Sequence, residues 1–74
     1  MCSFLSRIWV NRLDRDPIVE TVKEISPKEA ANRLADKIWA KGVNPKVCFV
    51  QLTDLSSGGI SAFKILPDKI VKCV

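Results

Sequence analysis

The chain has 74 residues, of which 47% are hydrophobic and 27% are charged, and its 12 Lys and Arg against 8 Asp and Glu give a formal net charge of +4. These proportions are typical of a folded globular protein and exclude the low hydrophobicity and high charge of intrinsic disorder. At this length the chain has room for one hydrophobic core, so we predict a single domain over residues 1–74. A core of this size gives a net folding free energy of only about 3–5 kcal/mol, so a homodimer contact or a docked partner would add to the stability of the fold.

The cysteine and histidine counts exclude the commonest metal sites. Cys2, Cys48 and Cys73 are an odd set without CxxC spacing, and the chain has no histidine, so a Cys/His zinc site would lack a fourth ligand. We expect three reduced thiols in a cytoplasmic protein without metal or cofactor, and a Cys2–Cys73 bridge that ties the termini together is the alternative. A polar Ser-Arg pair interrupts the apolar stretch of residues 4–10, so neither a signal peptide nor a membrane span is predicted.

The first predicted elements are two strands that form a β-hairpin. Residues 6–13 and 18–25 are rich in β-branched and aromatic side chains, and the stretch 14–17 between them contains a proline and two aspartates that favour a turn. In the first strand Trp9 must face opposite to its neighbours Ile8 and Val10. Trp9 is therefore either an exposed interface anchor or a core residue, and the residues favour the two arrangements about equally.

A helix is predicted from residue 27 to about residue 41. Ser26 is a good N-cap, a proline follows at the first helical position, and Glu29 completes a Ser-x-x-Glu capping box. Apolar residues recur with the helical period along one face, which we expect to be buried. This stripe consists of Ala30, Ala31, Leu34, Ala35, Ile38 and Trp39. Gly42 then supplies a left-handed residue that ends the helix, and an Asn-Pro pair at 44–45 prevents its resumption.

A second hairpin is predicted after the helix. Residues 47–52 form a short apolar run that indicates a strand buried on both sides, and residues 54–59 form a polar loop with two glycines. Residues 60–66 form the return strand, and residues 70–74 form a last short strand or an edge extension. The predicted class is α+β, with a small, mostly antiparallel sheet of four to five strands, one helix across one face, and the order β-β-α-β-β(-β).

Catalytic chemistry is not expected. The commonest general base, histidine, is absent, and the carboxylate pairs at 14/16 and 20/24 are typical of solvated surface charge. The Ser-Ser-Gly-Gly segment at 56–59 opens a strand and lacks the GxxxxGK[ST] pattern of a phosphate-binding loop. We therefore predict a protein that binds another macromolecule and is not an enzyme.

Two surfaces are candidates for partner binding. Arg33, Lys37 and Lys41 recur at four-residue spacing and form a basic stripe on the exposed side of the helix, which could track phosphates. The alternative is an ordinary solvated helix face in which Glu29 supports Arg33 at i, i+4. The second surface is the apolar area around Trp9. The stripe is preferred because its three cations are expected to be exposed, whereas Trp9 has an equal chance of lying in the core.

The segments SPKEAANRLADKIWAKGVNP and AFKILPDKIVKCV resemble small phage-encoded anti-CRISPR proteins of the type I-F kind, particularly the fifth family. The resemblance covers roughly residues 17–74, and the matching positions are Ser26, Ala30, Ala31, Ala35, Gly42, Pro45, Ala62, Phe63 and Val71. It implies a non-enzymatic inhibitor of phage or mobile-element origin that binds a bacterial protein or ribonucleoprotein complex, namely a type I RNA-guided surveillance complex in the host cytoplasm. A small basic nucleic-acid-binding domain is the alternative function.

Overall fold

The computed structural model describes residues 1–11, 16–42, 46 and 48–74. The elements, in chain order, are β1 (Cys2–Val10), β2 (Ile18–Glu24), α1 (Pro27–Ala40), β3 (Cys48–Asp54), β4 (Ile60–Ile65) and β5 (Val71–Cys73). The strands form one antiparallel sheet in the spatial order β2-β1-β3-β4-β5. The predicted α+β class is confirmed, and the spatial order adds that β1 lies between β2 and β3.

Strand β1 is the longest of the five and is hydrogen-bonded on both sides. Cys2 pairs with Glu24 of β2, and Phe4 pairs with Asp54 of β3. The predicted start of this strand at residue 6 is therefore wrong, because residues 2–5 find partners in the far ends of both neighbouring strands. The predicted pairing of β1 with β2 is confirmed, while residues 12–13 of the predicted strand and 14–15 of the predicted turn lie outside the described residues.

Helix α1 begins and ends close to where the capping residues predict. The Ser26 hydroxyl accepts a hydrogen bond from the Glu29 amide at 3.3 Å, which satisfies one of the free donors of the first turn. The helix ends at Ala40, and Gly42 follows with a φ of 79°, a left-handed conformation that glycine adopts without strain. The Asn-Pro pair at 44–45 lies outside the described residues.

The helix covers one face of the sheet, and the core lies between them. The buried sheet residues are Phe4, Ile8, Cys48, Val50, Leu52, Phe63 and Ile65, and the buried helix residues are Ala30, Ala31, Leu34 and Ala35. Trp39, which the sequence places in the core, is only partly buried at its rim. Its indole Nε1 donates a hydrogen bond to the Pro67 carbonyl at 3.2 Å, so the ring reaches past the sheet edge to the β4–β5 turn.

Strand β3 is not buried on both sides, in contrast to the prediction from its apolar run. Cys48, Val50 and Leu52 are buried, whereas Phe49 and Gln51 between them are partly exposed. One helix can cover only one face of the sheet, so alternate side chains of β3 remain accessible. Residue 47 of the predicted strand lies outside the described residues, and the strand continues to Asp54.

All three cysteines are free thiols, and the alternative Cys2–Cys73 bridge is not formed. Cys2 lies on β1 and Cys73 on β5, and strands β3 and β4 separate them. Cys48 is fully buried in the core, and this burial raises the pKa of its thiol to about 11. The thiol therefore stays protonated at neutral pH and behaves as a small apolar side chain.

Candidate functional site

One face of the sheet is left uncovered by the helix, and we call it the open face. Successive side chains of a strand point to opposite sides, so the positions that alternate with the buried ones belong to this face. Its members are Ser3, Leu5, Arg7 and Trp9 of β1, Val19, Thr21 and Lys23 of β2, Phe49, Gln51 and Thr53 of β3, Ile60, Ala62 and Lys64 of β4, and Lys72 of β5. An open sheet face with large side chains is a surface on which a partner can lie.

An aromatic pair lies on the neighbouring strands β1 and β3, near the end of the open face at which β1 ends and β3 begins. Trp9 on β1 and Phe49 on β3 are directly opposite each other in the antiparallel register, and both are partly exposed. A shallow groove of about 330 Å³ lies beside them, with Gln51 and Ala62 also in its wall. This volume is at the lower end of ligand-sized pockets, roughly 300–1,000 Å³. Ile8 is buried on the opposite side of β1, so Trp9 is on the exposed face and is not a core residue.

On the described strands, the charged residues of the open face are all basic. Its charged members are Arg7, Lys23, Lys64 and Lys72, and no Asp or Glu lies at an open-face position of the described strands. These four cations account for the whole net charge of +4, because the other eight basic residues equal the acidic residues in number. Arg7, Lys64 and Lys72 lie in the row of the aromatic pair or in the next row, whereas Lys23 is opposite Ser3 at the other end of the face.

The register aligns the aromatic and basic residues in one row across four strands. Trp9 is opposite Phe49, Phe49 is opposite Lys64, and Lys64 is opposite Lys72. The Lys64 ammonium lies 5.9 Å from the centroid of the Phe49 ring, within the range of a cation–π contact. In the adjacent row, Arg7 Nη1 donates to Gln51 Oε1 at 3.5 Å.

The predicted basic stripe lies on the other side of the molecule and is largely neutralised. Arg33 forms an ion pair with Glu24, and Lys37 forms one with Glu20 at 3.2 Å. Both carboxylates lie on the helix side of the edge strand β2, and each is partly exposed and paired with a cation of α1. Arg33 is thus bound by Glu24 of the sheet, whereas the sequence pointed to Glu29.

Lys41, the third residue of the stripe, lies at the C-cap and is exposed. The structure therefore does not bring the four predicted site residues together, since Trp9 is on the open face and the three cations are on the helix side. A groove of about 310 Å³ lies between α1 and β2, and the paired side chains of Arg33, Lys37 and Glu20 line it. Ion pairs in its wall leave less charge there for a ligand than on the open face.

Sequence reasoning missed Phe49, Lys64 and Lys72 as members of a site. The signal was present in β3, where Gln51 and Thr53 alternate with buried residues and mark a one-sided strand. Treating the apolar run as a doubly buried strand concealed Phe49. No local pattern indicates that Trp9 and Phe49 are neighbours, because 39 residues separate them and only the β1–β3 register joins them.

Within the described ranges, no group of three or more His, Cys, Asp or Glu residues could hold a metal ion. Among the same residues, α1 is too short to cross a bilayer, and no longer helix is present.

No family model, curated protein or solved structure matches this chain. The likeness to anti-CRISPR proteins thus stays a prediction from the residues.

Proposed function

We propose that the protein is a non-enzymatic domain that binds single-stranded nucleic acid on the open face of its sheet. The observation that carries this proposal is the Trp9–Phe49 pair, which lies amid Arg7, Lys64 and Lys72 with no acidic residue at an open-face position of the described strands. Proteins that bind single strands combine a basic surface for the phosphates with aromatic rings on which the bases stack.

A base stacked on Phe49 is more favourable in free energy than the present contact between Phe49 and the Lys64 ammonium. The cation–π contact of Lys64 is worth about 0.5–1 kcal/mol at an exposed site, whereas a stacked base contributes about 1–3 kcal/mol. A base can therefore displace the flexible Lys64 side chain from the ring. The displaced ammonium remains next to Lys72, where both can contact phosphate.

An unpaired strand suits this face better than a duplex. Trp9 and Phe49 are partly buried in the sheet. A base can therefore stack on either ring only if the flat face of the base is free. In a duplex the bases stack on each other, and only their edges reach the grooves. The row of four strands spans roughly 14 Å at about 4.8 Å per strand, which accommodates a few nucleotides laid across the sheet.

Fluorescence anisotropy with a labelled 12-nucleotide single strand and with its duplex tests the proposal. We expect micromolar or tighter binding of the single strand at low salt, and weaker binding of the duplex. The double variant Lys64→Gln, Lys72→Gln should lower the affinity and should reduce the slope of log K against log salt by about 0.7 for each lost phosphate contact.

The matched control is the double variant Lys37→Gln, Lys41→Gln, which also removes two positive charges but acts on the helix stripe. We expect it to bind the single strand as the unmodified protein does. Loss of binding in this control, with normal binding by the Lys64 and Lys72 variant, would assign the interface to the stripe and overturn the open-face proposal.

A second candidate function is the inhibitor role that the resemblance implies, in which a bacterial protein or ribonucleoprotein complex is the partner. The observation that favours it is a group of exposed apolar residues at one end of the sheet. Met1, Ile25, Leu55 and Ile60 are 90%, 70%, 56% and 66% exposed, and the register puts them next to the paired ends of β1, β2, β3 and β4. Exposed apolar area of this kind is typical of protein interfaces.

The two candidates are separated by a pull-down with a purified type I surveillance complex. Binding that is lost in an Ile25→Asp, Leu55→Asp variant, together with no binding of the 12-nucleotide strand at low salt, would favour the inhibitor. Strand binding that survives these two substitutions would favour the nucleic-acid-binding domain.

A further inference from the structure

In the described strands, the polar side chains in the row beside the aromatic pair are chiefly hydrogen-bond donors. Arg7 and Gln51 lie on β1 and β3 two residues from Trp9 and Phe49, and their side chains share the open face. Arg7 has five N–H donors and no acceptor. Because Arg7 Nη1 donates to Gln51 Oε1, the Gln51 oxygen faces Arg7 and its amide nitrogen is left for a ligand.

Among the described strand residues, the cross-strand partners of this group on β4 add no side-chain acceptor. Ala62 is opposite Gln51 and has no polar side-chain atom, and Lys64 opposite Phe49 is a donor only. The nearest open-face hydroxyl on β3, that of Thr53, lies in the row beyond Gln51, opposite Leu5 of β1. A base stacked on Trp9 or Phe49 therefore meets donors along the edge that points toward Arg7 and Gln51.

The bases differ in what they offer to such an edge. The difference lies at C4 of the pyrimidines and C6 of the purines: uracil, thymine and guanine carry a keto oxygen there, which accepts hydrogen bonds, whereas cytosine and adenine carry an amino group, which donates. An amino group turned toward Arg7 or Gln51 cannot accept from either of them, so a base held with its C4 or C6 substituent on this side gains a hydrogen bond only when that substituent is a keto oxygen.

From this arrangement, and resting on the proposed function, we infer that Arg7 and Gln51 select keto bases, so that single strands rich in uracil, thymine or guanine bind more tightly than those rich in cytosine or adenine. Trp9 and Phe49 supply affinity for any base, because every base has a face that can stack. Arg7 and Gln51 thus determine which bases are preferred, whereas Trp9 and Phe49 determine how tightly any base binds.

The test compares the homopolymers dU12 and dC12 by anisotropy at pH 7.5 and low salt. Both are unmethylated pyrimidines with the same O2, so they differ at C4, keto or amino, and at the adjacent N3. We expect dU12 to bind about fivefold more tightly, the factor of one net hydrogen bond. Arg7→Met and Gln51→Met should each lower the preference, and the double variant should bring the ratio of the two dissociation constants close to one.

Lys23→Met is the matched control, because it removes the same charge as Arg7→Met from the same face, at a position opposite Ser3. It should weaken the binding of both oligonucleotides equally and preserve the ratio of their dissociation constants.

Equal binding of dU12 and dC12 by the unmodified protein would overturn the keto preference while leaving the proposed function intact. An unchanged ratio of the two dissociation constants in the Arg7→Met, Gln51→Met double variant would do the same. Failure of both strands to bind would overturn the proposed function as well. Circular dichroism melting verifies that each variant is folded.

Discussion

Trp9 and Phe49 lie directly opposite each other on neighbouring strands, with both side chains on the face of the sheet that the helix leaves open. Cross-strand aromatic pairs stabilise a sheet by about 0.2–1 kcal/mol. This pair therefore adds little to folding compared with the fully buried residues on the other face. Two large, partly exposed rings are what the proposed stacking of bases on the open face requires.

The two tryptophans should give opposite results when each is replaced by alanine. Trp9→Ala should weaken binding of dU12 by about tenfold or more, because stacking contributes about 1–3 kcal/mol per base, and should have little effect on the unfolding midpoint. Trp39→Ala should leave binding unchanged and lower the midpoint, because its ring packs against the core and its Nε1 bonds to Pro67. Anisotropy and urea denaturation measure both effects. Unchanged dU12 binding by a folded Trp9→Ala variant would argue against the open face.

Leu34 should be one of the most sensitive positions for stability. Its side chain is 1% exposed between the helix and the sheet, so Leu34→Ala should cost about 2–5 kcal/mol of unfolding free energy. Ile38→Ala, one turn later, should cost less because Ile38 is only partly buried. Urea denaturation of the two variants measures the difference. An equal loss at both positions would mean that the C-terminal end of α1 is packed as tightly as its middle.

The capping bond at the start of α1 should be measurable on its own. Ser26→Ala removes the acceptor of the Glu29 amide and should cost about 1 kcal/mol. Ser26→Asp, which keeps an acceptor and places a negative charge at the helix N-terminus, should retain most of the stability. The comparison needs only thermal or urea unfolding of three proteins. Equal stability of the serine and alanine proteins would contradict a role for the cap.

Cys48 should make stability depend on pH in the alkaline range. Its folded pKa of about 11 is raised by burial above the ordinary value of 9.0, so the unfolded chain loses the proton first. The contribution to stability is fully present below pH 9.0 and is lost as the pH rises toward about 11. Urea unfolding across this range should show a smaller decline for Cys48→Ala than for the unmodified protein. Cys73→Ala is the control, because Cys73 is exposed. An identical decline in all three proteins would rule out the buried thiol as its cause.

The local elements were predictable where short-range chemistry decides them. Helix α1 follows from the Ser26 cap, the apolar period and Gly42, all of which act within one or two turns. The β1–β2 hairpin follows from two β-rich runs joined by a short polar stretch. The one-residue differences at the ends of β2 and β4 are small because such ends depend on a few hydrogen bonds.

The sequence by itself therefore determined the class of the fold, the helix with the buried N-terminal part of its apolar stripe, and the excess of positive charge. Only the tertiary structure decided which side of β1 carries Trp9, because both alternate sets of side chains on that strand include apolar residues, and the single helix covers one of them. The tertiary structure also joined Phe49 to Trp9 and separated the open-face cations from the helix cations that Glu20 and Glu24 neutralise. The pairing of strands that are distant in the chain depends on which of their side chains are buried together in one core. No local sequence pattern carries that information.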